Sequence, residues 1–240
     1  MLLAALLFSF TLSVHAQDWW GKSKKVKGNG NIIIVNRTTK EYNGIAAAGS
    51  FDVLLVKGKE GKITIEGEEN VISFIETEVK GGKLKIKYKK KLNIKTTKRV
   101  TITVTFKDIE NISLGGSGNI SSKETIHSNN FSASIGGSGT IELNVESRTI
   151  RATIGGSGTI KLKGYTEELK CAIAGSGSIR AYDLTTAEVN ATIAGSGSIK
   201  TTVKNKIKAN LVGSGNIYYK GNPKNIDSKA VGLGSVIERN

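Results

Sequence analysis

The chain has 240 residues, a formal net charge of +15 and a single cysteine, Cys171. That length supports a hydrophobic core without disulfides or metals, and one cysteine excludes an internal disulfide. Glycine is frequent, with 29 residues, proline occurs once and aromatic residues make up 6%. This composition disfavours disordered chains and helical bundles, and it favours many tight turns between β-strands.

Residues 1–16 form an uncharged, largely apolar segment that ends in Val14-His15-Ala16. Its small residues before Gln17 fit a signal-peptidase site, and its apolar run is shorter than the roughly 20 residues that span a bilayer. We therefore predict a signal peptide over 1–16. The mature protein is then exported to the periplasm, to the outer surface or into the medium, with no integral membrane span. Residues 17–27 are predicted to be disordered.

Residues 28–110 contain five β-type runs, at 31–35, 51–56, 62–67, 83–88 and 99–106. Between two of these runs, Val71, Phe74 and Ile75 follow acidic residues at helical spacing, which predicts one short helix. No linker separates the last run from the repeats that follow. We interpret 28–110 as irregular coils or a cap of the same domain, with a separate small sandwich as the alternative.

Lysines alternate with apolar residues at the start of the run 83–98, at Lys83, Lys85, Lys87 and Lys89. Alternation places side chains on one face of a strand, so this strand is predicted to have a basic face. Such a face is either solvated or a docking patch for anionic glycans or lipid headgroups.

One unit recurs seven times in residues 111–240, first as SLGGSGNI at 113 and last as the divergent AVGLGSVI at 230. A period near 20 residues, with a strand on each side of a glycine corner, is typical of a solenoid whose coils stack about 4.8 Å apart. We predict that the first glycine of each Gly-Ser-Gly step is a structural corner. These glycines are Gly116, Gly137, Gly156, Gly175, Gly195 and Gly213, followed by Gly232 in the divergent copy.

Positions two, four and six before each corner glycine, and four after it, are apolar in nearly every copy. Because side chains alternate along a strand, these positions predict four inward columns of stacked side chains. Cys171 replaces alanine in one column and is interpreted as a packing residue. The position five after the corner is mostly polar and is predicted to face water. It holds Lys161, Arg180 and Lys200 in three successive coils.

Chemistry-bearing residues are sparse. His127 is the only histidine after the predicted signal peptide, and none of the five aspartates recurs in a stacked column. Histidine-based catalytic triads and metal sites therefore have at most this one histidine, which lies in the irregular link between coils and is expected to be a surface residue. No nucleotide-binding fingerprint is present. We predict a protein that is not an enzyme, with no catalytic, metal-binding or cofactor-binding residues.

The tandem GSGNI and GSGTI steps, YNGIAAAGSFDVLLVKG at 42–58 and ENVISFIETEVKGGKLKIKY at 69–88 resemble the DUF2807 family. This family is the auto-transporter adhesin head GIN domain of exported Bacteroidetes proteins. The resemblance covers about residues 28–237 and implies an all-β, right-handed parallel β-helix and a surface adhesin. It brings no catalytic residues. We expect one continuous domain over 28–240, with an irregular part at 28–110 and a regular solenoid at 111–240.

The leading functional hypothesis is an exported, non-catalytic binding module that engages an anionic polysaccharide or the envelope surface through its positive charge. Export argues against a nucleic-acid partner. The alternatives are a β-helix enzyme of the polysaccharide lyase or glycosidase type and a structural envelope protein; the oligomeric state is left open. The candidate contact residues are Lys83, Lys85, Lys87, Lys89, Lys161, Arg180 and Lys200.

Overall fold

The structure is a computed structural model that describes residues 24–239, so the predicted signal peptide and residues 17–23 lie outside the described residues. Within that range the chain forms eighteen β-strands and one short helix. In chain order these are β1 (Lys24–Lys27), β2 (Ile32–Thr38), β3 (Gly44–Ala48), β4 (Asp52–Lys57), β5 (Lys62–Glu68), α1 (Glu69–Ile72), β6 (Ile75–Lys80), β7 (Lys83–Tyr88), β8 (Leu92–Lys95), β9 (Thr101–Phe106), β10 (Asn111–Gly116), β11 (Asn119–Gly137), β12 (Thr140–Gly156), β13 (Thr159–Gly175), β14 (Ser178–Gly195), β15 (Ser198–Gly213), β16 (Asn216–Lys220), β17 (Asn225–Val231) and β18 (Ser235–Glu238).

The repeats form a stack of parallel coils. Each of the long strands β11 to β15 makes almost one whole coil and pairs in parallel with the next. The predicted β-solenoid with coils of about 20 residues is therefore confirmed.

The predicted inward columns are in register. Ile135, Ile154 and Ile173 are successive Cα partners, and each is at most 3% exposed. Cys171 lies in the neighbouring column, directly between Ala152 and Ala191. Stacked aliphatic side chains therefore form the core along the length of the solenoid.

The Gly-Ser-Gly corner brings backbones into close contact. Gly156 has φ +128°, and a Cβ atom added there would lie 2.6 Å from the carbonyl oxygen of Gly137. The backbone N–H of Ser157 donates to the same oxygen at 3.0 Å. Glycine is thus required by both the φ value and the approach of the coils. All six predicted corner glycines have positive φ.

A second corner, on the other side of the coils of β12, β13 and β14, is made by buried hydroxyl residues. The hydroxyl of Thr166 donates to the carbonyl oxygens of Arg148 and Glu168, both at 3.1 Å. Ser147 precedes it in the same column and makes the equivalent bonds. The sequence pattern did not predict this corner. These bonds satisfy carbonyl groups where the chain changes direction.

The N-terminal third continues the same sheet. β3 and β4 flank a corner at Gly49 and pair with β10 and β11. Outside them, β7 pairs in parallel with β3, and β9 pairs in parallel with β4. The outermost strands are antiparallel: β6 on β7, β5 on β9 and β2 on β5. One hydrophobic cluster runs from Tyr42 to Tyr219.

The N-terminal end carries two small features. Helix α1 ends at Ile72 and Ile75 already begins β6, so of the three residues whose spacing predicted a helix only Val71 lies in it, although Val71 and Ile75 are buried and Phe74 is half-buried. Residues 24–27 were predicted to be disordered, whereas they form β1, which pairs in parallel with β8. The backbone N–H of Lys24 also bonds to Lys91. The pairing with β8 orders this segment, although its lysine-rich sequence has too few apolar residues to form a hydrophobic core by itself.

Candidate functional site

The candidate cationic residues lie on two separate surfaces. Lys161, Arg180 and Lys200 are successive Cα partners on strands that follow the Gly-Ser-Gly corner. Lys83, Lys85 and Lys87 lie on β7, which pairs with β3, and β3 precedes the corner at Gly49. The two sets therefore lie on opposite sides of the corner and do not form one site.

The lysines of β7 are partly compensated by the neighbouring antiparallel strand. Lys85 lies opposite Glu78, and Lys87 Nζ is 3.2 Å from the Glu76 carboxylate. Lys89 follows the strand and lies 5.9 Å from the centre of the Phe74 ring. The strand alternation predicted that the lysines of β7 share one face, but it could not reveal that acidic residues of β6 would be their neighbours.

The other surface is larger, and we call it the basic-aromatic face. It comprises the outward positions five and seven residues after the corner glycine in six successive coils, beginning with the coil of β12. These residues are Glu142, Asn144, Lys161, Lys163, Arg180, Tyr182, Lys200, Thr202, Tyr218, Lys220, Ile237 and Arg239. Six of them are cationic and one is acidic.

The single carboxylate of the basic-aromatic face lies at its first coil. Glu142 accepts a hydrogen bond from Lys161 Nζ at 2.9 Å, and this bond lowers the pKa of the Glu142 carboxyl. Both side chains are partly exposed, so the pair contributes little to stability. The coils beyond Lys161 carry an excess of positive charge.

Aromatic rings lie between the cations. Lys200 Nζ and the Arg239 guanidinium lie 5.9 and 5.2 Å from the centre of the Tyr218 ring. Lys220 Nζ lies 5.0 Å from the centre of the Tyr182 ring. Such cation–π contacts orient the long basic side chains along the surface. The face therefore presents fixed charges next to flat rings.

Sequence reasoning identified three of the six cations of this face. It identified Lys161, Arg180 and Lys200, but not Lys163, Tyr182, Tyr218, Lys220 or Arg239. The signal was present in the repeat, because the position two residues further along a strand points the same way. Lys163 and Lys220 occupy that position in their coils.

The second corner brings three carboxylates, Glu167, Glu168 and Glu188, to one shallow cavity. Glu167 is 3.4 Å from Arg148 Nε, and Glu168 is 2.8 Å from Lys170 Nζ. The charges of Glu167 and Glu168 are thus compensated by neighbouring cations. Among residues 24–239, no group of three or more His, Cys, Asp or Glu side chains is placed to hold a metal ion.

Cys171 and His127 are in ordinary positions. Cys171 is 3% exposed, and its burial raises the pKa of the thiol to about 12, so the thiolate does not form at neutral pH. His127 is exposed and lies 3.3 Å from the Glu146 carboxylate. Neither residue has the partners of a catalytic nucleophile.

The match with a family model decides the classification. The model of DUF2807, “Putative auto-transporter adhesin, head GIN domain”, matches residues 41–223. The chain belongs to the DUF2807 family. The predicted resemblance is thereby confirmed, and the motifs that carried it lie within the matched range.

Solved structures share the DUF2807 solenoid. A “putative adhesin” from Bacteroides fragilis has a TM-score of 0.85 and 24% identity, covering 89% of this chain and all of its own. A “putative lipid binding protein” from Parabacteroides distasonis has a TM-score of 0.76 and 26% identity, covering 90% of this chain and all of its own. A “putative adhesin” from Parabacteroides merdae has a TM-score of 0.68 and 23% identity, with the same coverage.

A search among curated proteins found no relative of this DUF2807 chain. No helix within residues 24–239 has the length and apolar character that crossing a membrane requires.

Proposed function

We propose that this chain is an exported, non-catalytic binding module that holds anionic polysaccharide along the basic-aromatic face. The observation that carries the proposal is the stacking of six cationic side chains, with one carboxylate, over six successive coils. Adhesin-family membership supports a binding role. The positive net charge of the whole chain attracts the same class of ligand from a distance.

The geometry of the face suits a long polymer. Neighbouring coils are spaced about 4.8 Å apart, which is less than the roughly 8 Å screening length at physiological salt, so the fields of successive cations add. The side chains project from a continuous sheet, so little backbone order has to be gained on binding. A polymer with charges along its length can contact several coils at once.

The tyrosines favour a sugar polymer over a simple polyanion. Tyr182 and Tyr218 each present a flat apolar ring and a hydroxyl group beside the cations. Such amphipathic rings contact a partly apolar, partly polar surface, and the face of a sugar ring is one.

A lipid surface is the second ligand class, because one structural neighbour is named a lipid-binding protein. Proteins that bind a membrane surface insert bulky apolar side chains next to their basic residues. In this chain Leu54 and Val56 lie on the same side of the corner but three coils before Lys161, and the exposed Val231 and Leu233 of the last described coil lie at the corner and not among the cations. Polysaccharide therefore fits the face better.

The test measures binding of the purified chain to carboxylated, sulfated and neutral polysaccharides, and to phosphatidylserine vesicles, at low and physiological salt. One variant carries Lys163→Gln, Arg180→Gln and Lys200→Gln. Its matched control carries Lys83→Gln, Lys85→Gln and Lys87→Gln, which remove the same charge from β7. We expect salt-sensitive binding to acidic polysaccharide that the first variant weakens at least about tenfold and the control changes less than about twofold.

Three results would overturn the proposal. Equal weakening by both variants would show that net charge, and not this face, attracts the polymer. Binding to vesicles without binding to any polysaccharide would assign the lipid class instead. Cleavage of a bound polysaccharide would restore the lyase or glycosidase alternative.

A further inference from the structure

The last coil that the structure describes, formed by β17 and β18, is paired on one side only. β17 pairs in parallel with β15, and β18 pairs in parallel with β16. Within residues 24–239, no strand pairs with the outer edge of β17. The backbone groups on that edge are therefore available to another strand.

Side chains that continue the inward columns are exposed in this coil. Ile226 is the register partner of Ile207, but Ile226 is 52% exposed whereas Ile207 is fully buried. All seven residues of β17 are exposed. At the N-terminal end, by contrast, Ile63 and Ile75 are at most 2% exposed, because β2 and α1 pack there.

The sequence of this coil is also more apolar than the repeat requires. Leu233 stands at the corner position that is serine in the six preceding copies, and it is 90% exposed. Val212 and Val231 occupy a column that earlier coils fill with glycine or alanine, and they are 60% and 67% exposed. An exposed apolar cluster of this kind marks an interaction surface.

We propose that this end binds a second copy of the chain, with β17 of the two copies pairing antiparallel about a two-fold axis at Ser228. This register sets Asp227 of one copy opposite Lys229 of the other, and Ile226 opposite Ala230. Residues directly opposite each other in an antiparallel pair have their side chains on the same face of the sheet. The inward side chains of the two copies therefore share one face, and Asp227 and Lys229 share the other. Both charge pairs are attractive.

Neighbouring registers do not meet these conditions. An axis at Asp227 or at Lys229 sets two like charges directly opposite each other. An axis between two residues turns the inward side chains of one copy toward the outward face of the other. The present partner of Asp227 is Lys208, whose Nζ is 4.0 Å away with both side chains half exposed, so it does not block the new contact. A two-fold contact is closed and yields a dimer, not a fibre.

The test is sedimentation velocity of the full chain over a concentration series. The native chain is expected to show a monomer–dimer equilibrium. Asp227→Lys and Lys229→Asp are each expected to abolish the dimer, because each sets like charges opposite each other. An equimolar mixture of these two variants is expected to dimerise again, since every pair between unlike chains is then attractive.

Lys163→Asp, a charge reversal of the same size on the basic-aromatic face, is the control and is expected to leave the dimer intact. Circular dichroism verifies that each exposed substitution leaves the fold unchanged. A chain that is monomeric at every concentration would overturn the proposal. A dimer that survives both charge reversals, or a mixture that fails to restore it, would do the same.

Discussion

At the scale of single residues, Glu68 is a buried carboxylate that joins three segments of the N-terminal end. It accepts hydrogen bonds from the backbone of Gly30 at 2.8 Å and of Thr97 at 2.9 Å, and from the Thr97 hydroxyl at 2.6 Å. A Cβ atom added at Gly28 would lie within 2.1 Å of both carboxylate oxygens. Glu68 therefore holds the chain around residues 28–30 and 97–98 against β5.

These bonds make the stability of the chain depend on pH. Chiefly because of the Thr97 hydroxyl, they lower the pKa of Glu68 from 4.5 to about 2. A lowered folded-state pKa stabilises the fold fully above about pH 4.5, and this stabilisation is lost as the pH falls toward 2. Glu68→Gln is expected to reduce the free energy of unfolding at neutral pH and to flatten its decline in acid, as measured by denaturant titration at several pH values.

Glu66→Gln is the matched control, because Glu66 is exposed on the same strand. It is expected to retain the acid-dependent decline of the native chain. If the unfolding free energy of Glu68→Gln declined between pH 5 and pH 2 as steeply as that of the control, another group would be responsible.

At the scale of elements, the two adjacent glycines Gly155 and Gly156 are expected to differ in how much a side chain at each position destabilises the fold. Gly156→Ala places a methyl group 2.6 Å from a backbone oxygen at φ +128° and should cost more than about 2 kcal/mol of unfolding free energy. Gly155→Ala is the control, because its methyl group has no neighbour closer than 3.9 Å and the next two coils have alanine there. It should change stability by less than about 1 kcal/mol. Equal losses in urea titrations would contradict the required close approach.

The two corners differ in how well the sequence reveals them. Glycine at a fixed period is conspicuous, so the first corner could be predicted. The serines of that corner, such as Ser138 and Ser157, are exposed. The hydroxyls that bond to backbone carbonyl groups are those of Ser147, Thr166 and Thr186, at the second corner. Serine and threonine are common on strand surfaces, so their period of 19 to 20 residues did not stand out.

The order of the N-terminal strands could not be predicted from the sequence. β3 and β4 pair with β10 and β11, yet β5 to β9 lie between them along the chain. Strand pairing over such distances depends on tertiary packing, and alternation of side chains does not encode it. The corner at Gly49 was also hidden, because Phe51 replaces the second glycine of the repeat.

At the scale of the whole molecule, the candidate site was predicted only in part. Each lysine run was found from its strand pattern, but a pattern within one strand does not tell which side of a corner that strand occupies. The stack separates the lysines of β7 from those of the basic-aromatic face and sets Glu76 beside Lys87. It thereby leaves one long surface with six cations and two tyrosine rings.

The most direct test of this account is lysine footprinting, in which an amine-reactive reagent modifies the chain with and without the acidic polysaccharide that it binds best. Mass spectrometry then measures the modification of each lysine. The account predicts that bound polymer protects Lys161, Lys163, Lys200 and Lys220, while Lys83, Lys85 and Lys87 react as before. Protection of the β7 lysines instead, or equal protection of both sets, would contradict it.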